Sequence, residues 1–177
     1  HYRDQVYHGG IFCKGRINWF PRALLPIQHG VGERGERSPM NGELISGPET
    51  LPEETLKANR MDVLADDLEH PFDDKYHQDR SATWDKIKVP FLSAGNWGGQ
   101  DNHLRGNTEG FSRAASKQKW LEIHGDTHWG EFYSQYGTAL QKRFLAHFLK
   151  GEANGWDKEP PVQLNIRHPN ETFVLRK

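Results

Sequence analysis

Three residues that could do chemistry crowd one short stretch: His124, Asp126 and His128, in Leu121-Glu122-Ile123-His124-Gly125-Asp126-Thr127-His128-Trp129-Gly130. An imidazole in a loop between a strand and a helix is well placed to act as a general base, because its ordinary pKa lets it take and return a proton near neutrality. On spacing, His128 is the candidate base and His124 a strand-end residue satisfying a loop hydrogen bond. Metal ligation by His124, Asp126 and His128 is the weaker reading. The two histidines are four apart, but Gly125-Asp126-Thr127 separates them, so this is not the H-E-x-x-H pattern in which a helix sets both rings on one face.

A base of this kind works with an orienting acid and a nucleophile. Asp101 follows the preceding apolar run and its Gly-rich break, and is the candidate acid; its plainer reading is a turn residue. No G-x-S-x-G occurs. Ser93, in Phe91-Leu92-Ser93-Ala94-Gly95, has Phe91 where a sharp strand-to-helix elbow needs a small residue, so it reads as part of a strand. Cys13 has no local group to activate it and reads as a small packed residue. Trp97 and Trp129 could line a pocket for an acyl or aromatic group, although packing is the commoner use of Trp.

These side chains need elements to hold them. Ile87–Gly95, entered through Pro90, reads as a buried strand of a parallel sheet. A helix over Leu104–Lys117, a strand over Lys119–His124 and a helix over Phe132–Leu149, stopped at Gly151, complete a right-handed strand–helix–strand–helix unit. Loops at the carboxyl ends of such strands hold ligands and catalytic groups. Upstream, His1–Phe20 reads as loop and short helix ending at Pro21, and Gln28–Gly47 as a mobile, Gly-rich surface excursion. One helix is predicted from a Thr50/Glu53 capping box to a stop before Pro71, with Leu56, Met61, Leu64 and Leu68 as its apolar stripe. A short helix is predicted over Tyr76–Arg80. Beyond Gly151, a linker through Pro160-Pro161 leads to Val162–Arg167. Its alternation predicts a half-buried antiparallel strand and a change of sheet.

Composition sets bounds. Hydrophobic residues make up 34% of the 177 positions, and there are 18 Gly and 10 Pro. Mean hydropathy is −0.87, so the chain reads as loop-rich with a core completed by something else. Six Trp, five Tyr and nine Phe argue against disorder. Net charge is −1, which predicts neither a nucleic-acid nor a membrane partner. Ten acidic residues against two basic ones between Glu43 and Asp74 read as a solvated acidic face. One cysteine excludes an internal disulfide. No apolar run approaches the roughly 20 residues of a membrane span. The chain opens without Met or leader, and is expected to be a cytoplasmic piece of a longer polypeptide.

At these loops the sequence resembles the CocE/NonD-type α/β-hydrolases, relatives of cocaine esterase and X-Pro dipeptidyl-peptidases. Tyr2-Arg3-Asp4 with His8-Gly9-Gly10-Ile11-Phe12 resembles the entry to the family's helical cap, and His70-Pro71-Phe72-Asp73-Asp74-Lys75-Tyr76 with Arg80-Ser81 the return from it. Asp85-Lys86-Ile87-Lys88-Val89-Pro90 and Gly95-Asn96-Trp97-Gly98-Gly99 resemble the acid-bearing strand and loop. Arg143 to Gly151, then Asn154-Gly155-Trp156 and Pro160-Pro161-Val162, resemble the last core helix and the junction to a jelly roll.

The resemblance implies an α/β fold. Residues 1–84 would be cap, 85–151 the end of the hydrolase core, and 152–177 a linker and the first strand of a β-sandwich. It implies a Ser-His-Asp hydrolase of esters or amides, with His128 as base and Asp101 as acid. The family's usual acid position is occupied here by Gly99. Tyr2, Trp19 and Trp84 would shape the acyl pocket. The serine and oxyanion hole would lie upstream of His1. No cofactor is implied. The expected partner is a small-molecule ester or amide, and self-association is left open. A catalytically inert binding or scaffolding module on the same fold is the rival from another class.

Overall fold

A computed structural model describes residues 6–8, 11–13, 15–98, 100–125, 127 and 129–176. It divides into two compact units, Tyr2–Arg80 and Ser81–Lys177.

In the first unit, a two-residue hairpin pairs β1 (Tyr7–His8) with β2 (Ile11–Phe12). Helix α1 (Gly15–Ala23) follows and runs through Pro21 instead of ending there. The Gly-rich stretch after it runs mostly over the surface, as expected. It makes 3-10 turns at Leu25–Ile27 and Gly32–Arg34, and Val31 and Arg37 form bridges with Thr50 and Leu44. The Val31–Thr50 bridge also explains why the expected capping box does not form. Thr50 is committed to extended pairing, α2 (Glu53–Ala58) starts after Pro52, and Glu53 turns to Arg60 at 2.8 Å and Arg34 at 3.3 Å.

The single long helix expected here is two. Asp62 accepts from the Ala65 N–H at 3.0 Å and so caps a new helix, α3 (Val63–Glu69). Leu56 and Val63 are buried, whereas Leu64 and Leu68 are exposed. Arg16 of α1 pairs with the fully buried Asp67 of α3. Helix α4 (Lys75–Asp79) starts at Asp74, which caps the His77 N–H and also bonds the His70 ring at 2.7 Å. The His70 ring stacks on Tyr76, with centroids 3.9 Å apart, and Arg80 covers the other side of that phenol. The sequence from His70 to Arg80 is thus one local stack of rings and charges.

The second unit holds a four-stranded sheet in the order β3 (Phe91–Asn96), β4 (Lys119–His124), β5 (Val162–Arg167), β6 (Phe173–Arg176). β3 and β4 are parallel and level, from Phe91 opposite Lys119 to Asn96 opposite His124. Helix α5 (Gln100–Arg113) connects them. After β4 come a short turn of helix, α6 (Gly130–Tyr133), and the long α7 (Gln135–Lys150). Ser134 breaks the helical run and caps α7 through the Gly137 N–H at 3.0 Å. Gly151 ends α7 in the left-handed region at φ 70°, where a Cβ is disfavoured.

The expected change of sheet at Val162 does not occur. β5 runs parallel to β4, with Leu121 opposite Val162 and Ile123 opposite Leu164, and only β6 is antiparallel. The cause is the return from α7. Trp156, fully buried, packs edge-on against Trp120 and Phe144 at 5.5 and 5.2 Å. That anchor returns the chain to the same sheet in the β4 direction, as a βαβ crossover does. The Pro161 carbonyl accepts from Leu121 N–H at 2.9 Å. Alternation alone cannot distinguish such a half-buried parallel strand from an antiparallel one.

Candidate functional site

Residues 121–124 of β4 are all buried, and a parallel strand covered on both faces ordinarily reads as an unbroken apolar run. Side chains alternate across a strand. Trp120 packs on Phe144 and Phe148 of α7 at 6.2 and 5.6 Å, so Trp120, Glu122 and His124 share the α7 face. Leu121 and Ile123 take the other. The α7 face therefore carries a buried carboxylate and a buried imidazole where packing alone would favour apolar groups.

Those two groups are bonded to each other. His124 Nδ1 lies 2.8 Å from Glu122 Oε2, with Glu122 1% and His124 7% exposed. Donation from Nδ1 to the carboxylate fixes the tautomer, and in the neutral ring leaves Nε2 as an acceptor. Tyr136 of α7 lies beside the pair. Burial, then the Glu122, Glu131 and Glu159 carboxylates, push its phenol up to about 12, so it stays protonated at neutral pH.

The carboxyl ends of β3 and β4 are tied together. Asn96 Nδ2 donates to the Gly125 carbonyl at 2.7 Å, and Trp97 N–H to the His124 carbonyl at 3.0 Å. Gly125 is required here: a Cβ on it would stand 2.5 Å from the Phe173 ring. Two hollows open at this end of the sheet. One, of about 350 Å³, is lined by Gly95, Asn96, His124, Trp129, Phe132 and Tyr133 among others. The other, of about 340 Å³, is lined by Trp97, Ile166 and Arg167.

The expected site residues distribute as follows. The backbone of Asp101 is the second residue of α5, not part of a loop. An acidic residue there is also what the positive helix N-terminus favours. His128 and Tyr2 lie outside the described residues, as does Asp126 of the metal reading. Among the described residues, no three His, Cys, Asp or Glu side chains gather to hold a metal.

Trp97 and Trp129 both stand at the carboxyl ends of the strands but line different hollows. The Trp97 indole reaches across to donate to the Asn165 carbonyl at 2.5 Å. Trp19 is exposed on α1 of the other unit, and Trp84 lies in a 3-10 turn over Trp84–Lys86. Ser93 is mid-strand, and its hydroxyl exchanges hydrogen bonds with Asn107, both 3.1 Å, which is a structural use. Cys13 is a half-buried free thiol whose N–H bonds the Val6 carbonyl. The residue that sequence reasoning missed is Glu122. Its signal was a single Glu inside the apolar run Trp120-Leu121-Glu122-Ile123.

No described helix is long and apolar enough to cross a membrane. No family-level sequence pattern and no curated protein matches the chain. Its structure is similar to two crystal structures of a CocE/NonD family hydrolase from Staphylococcus aureus. The TM-scores are 0.63 and 0.66, each at 33% identity, over 66% and 70% of this chain. The chain spans about a fifth of the length of each, 21% and 22%. The structural neighbours of this chain are thus CocE/NonD family hydrolases, as its motifs suggest, and the shared architecture is a mixed α/β hydrolase fold.

Proposed function

We propose that the protein is a hydrolase that cleaves an ester or amide through a serine acyl-enzyme. His128 is the base that takes the serine proton and then returns it to the leaving group, and Asp101 orients the imidazole. The observation that supports this most is the level, parallel pairing of β3 and β4. It brings the segments leading to Asp101 and His128 to the same end of the sheet, where α/β folds keep their reactive groups. The similarity to solved hydrolases supports the reaction class. The serine and its elbow belong to polypeptide outside these 177 residues, as does the greater part of the oxyanion hole. Residues 1–84 are assigned to the cap, and Tyr2 and Trp19 are its proposed acyl-binding residues.

Two observations favour the inert-module reading enough to keep it in view: Asp101 sits in a helix first turn, and Gly99 holds the family's usual acid position. These 177 residues alone are expected to be inactive, so a fluorophosphonate probe on the full-length polypeptide that carries the serine separates the two. Covalent labelling of one serine, lost after pretreatment with a serine acylating agent, is the expected result. Absence of labelling on folded protein would leave the binding module as the reading.

A further inference from the structure

The ladder between β3 and β4 ends where Asn96 stands opposite His124. Past that point run two segments, one from Trp97 to Asp101 and the other from Gly125 to His128. Parallel neighbours lose their regular backbone hydrogen bonds where their strands stop, so the spacing of the loops beyond needs another source. Here two bonds extend the ladder. Trp97 N–H donates to the His124 carbonyl at 3.0 Å. One step further the Asn96 side chain takes over from the backbone, its Nδ2 donating to the Gly125 carbonyl at 2.7 Å.

That second bond is sheltered. Asn96 is 3% exposed and Gly125 is buried, so water does not compete for the carbonyl. Phe173 of β6 closes on the same residue: a Cβ on Gly125 would meet three atoms of its ring within 2.6 Å. The backbone three positions before His128 is thus held by an amide from β3 and a ring from β6. Beyond His128, Gly130 N–H donates to Thr127 Oγ1 at 2.9 Å, which joins the residues on either side of it. A leucine at position 96 would fill the volume but has no hydrogen to give. The asparagine amide is what links the two segments.

We propose, on the serine-hydrolase reading, that Asn96 is a positioning residue: its amide sets the separation between the segment carrying Asp101 and the segment carrying His128. A general base must stand within hydrogen-bond reach of the proton it takes, and a displacement of about 1 Å costs on the order of a hundredfold in rate. Asn96 acts through the Gly125 backbone and takes no proton itself.

The test is turnover of an activated ester by the full-length polypeptide that carries the serine. Rates are expressed per serine titrated with a fluorophosphonate, so that misfolded protein drops out. Asn96→Ala is expected to lower kcat about tenfold to a hundredfold and to leave KM within about twofold. Asn96→Asp, which keeps the shape but replaces the donor with an acceptor, is expected to lose as much. Ser93→Ala removes a different side-chain hydrogen bond of the same strand. It should lower the thermal transition and leave kcat per titrated serine unchanged. Normal kcat in Asn96→Ala, or an equal loss in Ser93→Ala, would overturn the proposal. Should Asn96→Ala fail to fold, Asn96→Ser, one atom shorter, carries the same expectation. Failure of both to fold would show that Asn96 serves stability alone, and would overturn the proposal as well. Failure of the hydrolase reading looks different: no serine is labelled, or His128→Ala turns over the ester normally.

Discussion

Single residues in this chain show where ordinary patterning gives way to polar burial. Asp67 is fully buried and paired with Arg16. Burial raises its carboxyl above the ordinary range, and Arg16 pulls it back down. A carboxyl with a raised folded pKa favours folding below its unfolded value, and that contribution is lost as pH rises through the folded value. Removing the guanidinium leaves a buried charge uncompensated at neutral pH, so Arg16→Ala should cost about 3 kcal/mol in denaturant unfolding at pH 7. The cost should shrink as pH is lowered toward the carboxyl's raised pKa, because a protonated Asp67 needs no counter-charge. An unchanged cost between pH 7 and pH 4 would contradict this account. Neither Arg16 nor Asp67 announced the pair in the sequence, since they are 51 positions apart. Glu122 could have been found, because a lone carboxylate inside a short apolar strand needs a partner.

Elements were legible where the chain punctuates itself. β3, β4 and α7 could be read because Pro90, the Gly125 break and Gly151 bound apolar runs of clear period. The split of the Leu56–Leu68 region was not, since the apolar stripe continues at helical spacing across it. Asp62 capping a new helix outweighs that stripe. β5 was misread because its pairing is decided by Trp156, a long-range contact that no local pattern encodes. For α7, the two ends are held by single residues whose effects can be measured. Ser134→Ala removes the cap on the Gly137 N–H, and Gly151→Ala forces a Cβ into φ 70°. Each should cost about 1 kcal/mol in urea unfolding. The double variant should lose about the sum, because the sites share no partner. Strong non-additivity would show that the two ends of α7 are coupled.

At the scale of the molecule, the low hydrophobic fraction and the many loops fit a chain that spans about a fifth of the solved hydrolases it resembles. The α/β class, the order of the strand–helix unit and the family resemblance were all present in the sequence, carried by Gly95-Asn96-Trp97-Gly98 and Asn154-Gly155-Trp156 among others. The buried Glu122–His124 pair became visible only when the strand faces were assigned, since it depends on which side of β4 meets α7. The central claim is that His128, standing after the second of two level parallel strands, is the base of a serine hydrolase. Steady-state turnover of an activated ester by the full-length polypeptide and by its His128→Ala variant tests it most directly. The account predicts a loss in kcat of about a thousandfold or more with an unchanged thermal transition. Near-normal turnover by the variant would contradict it.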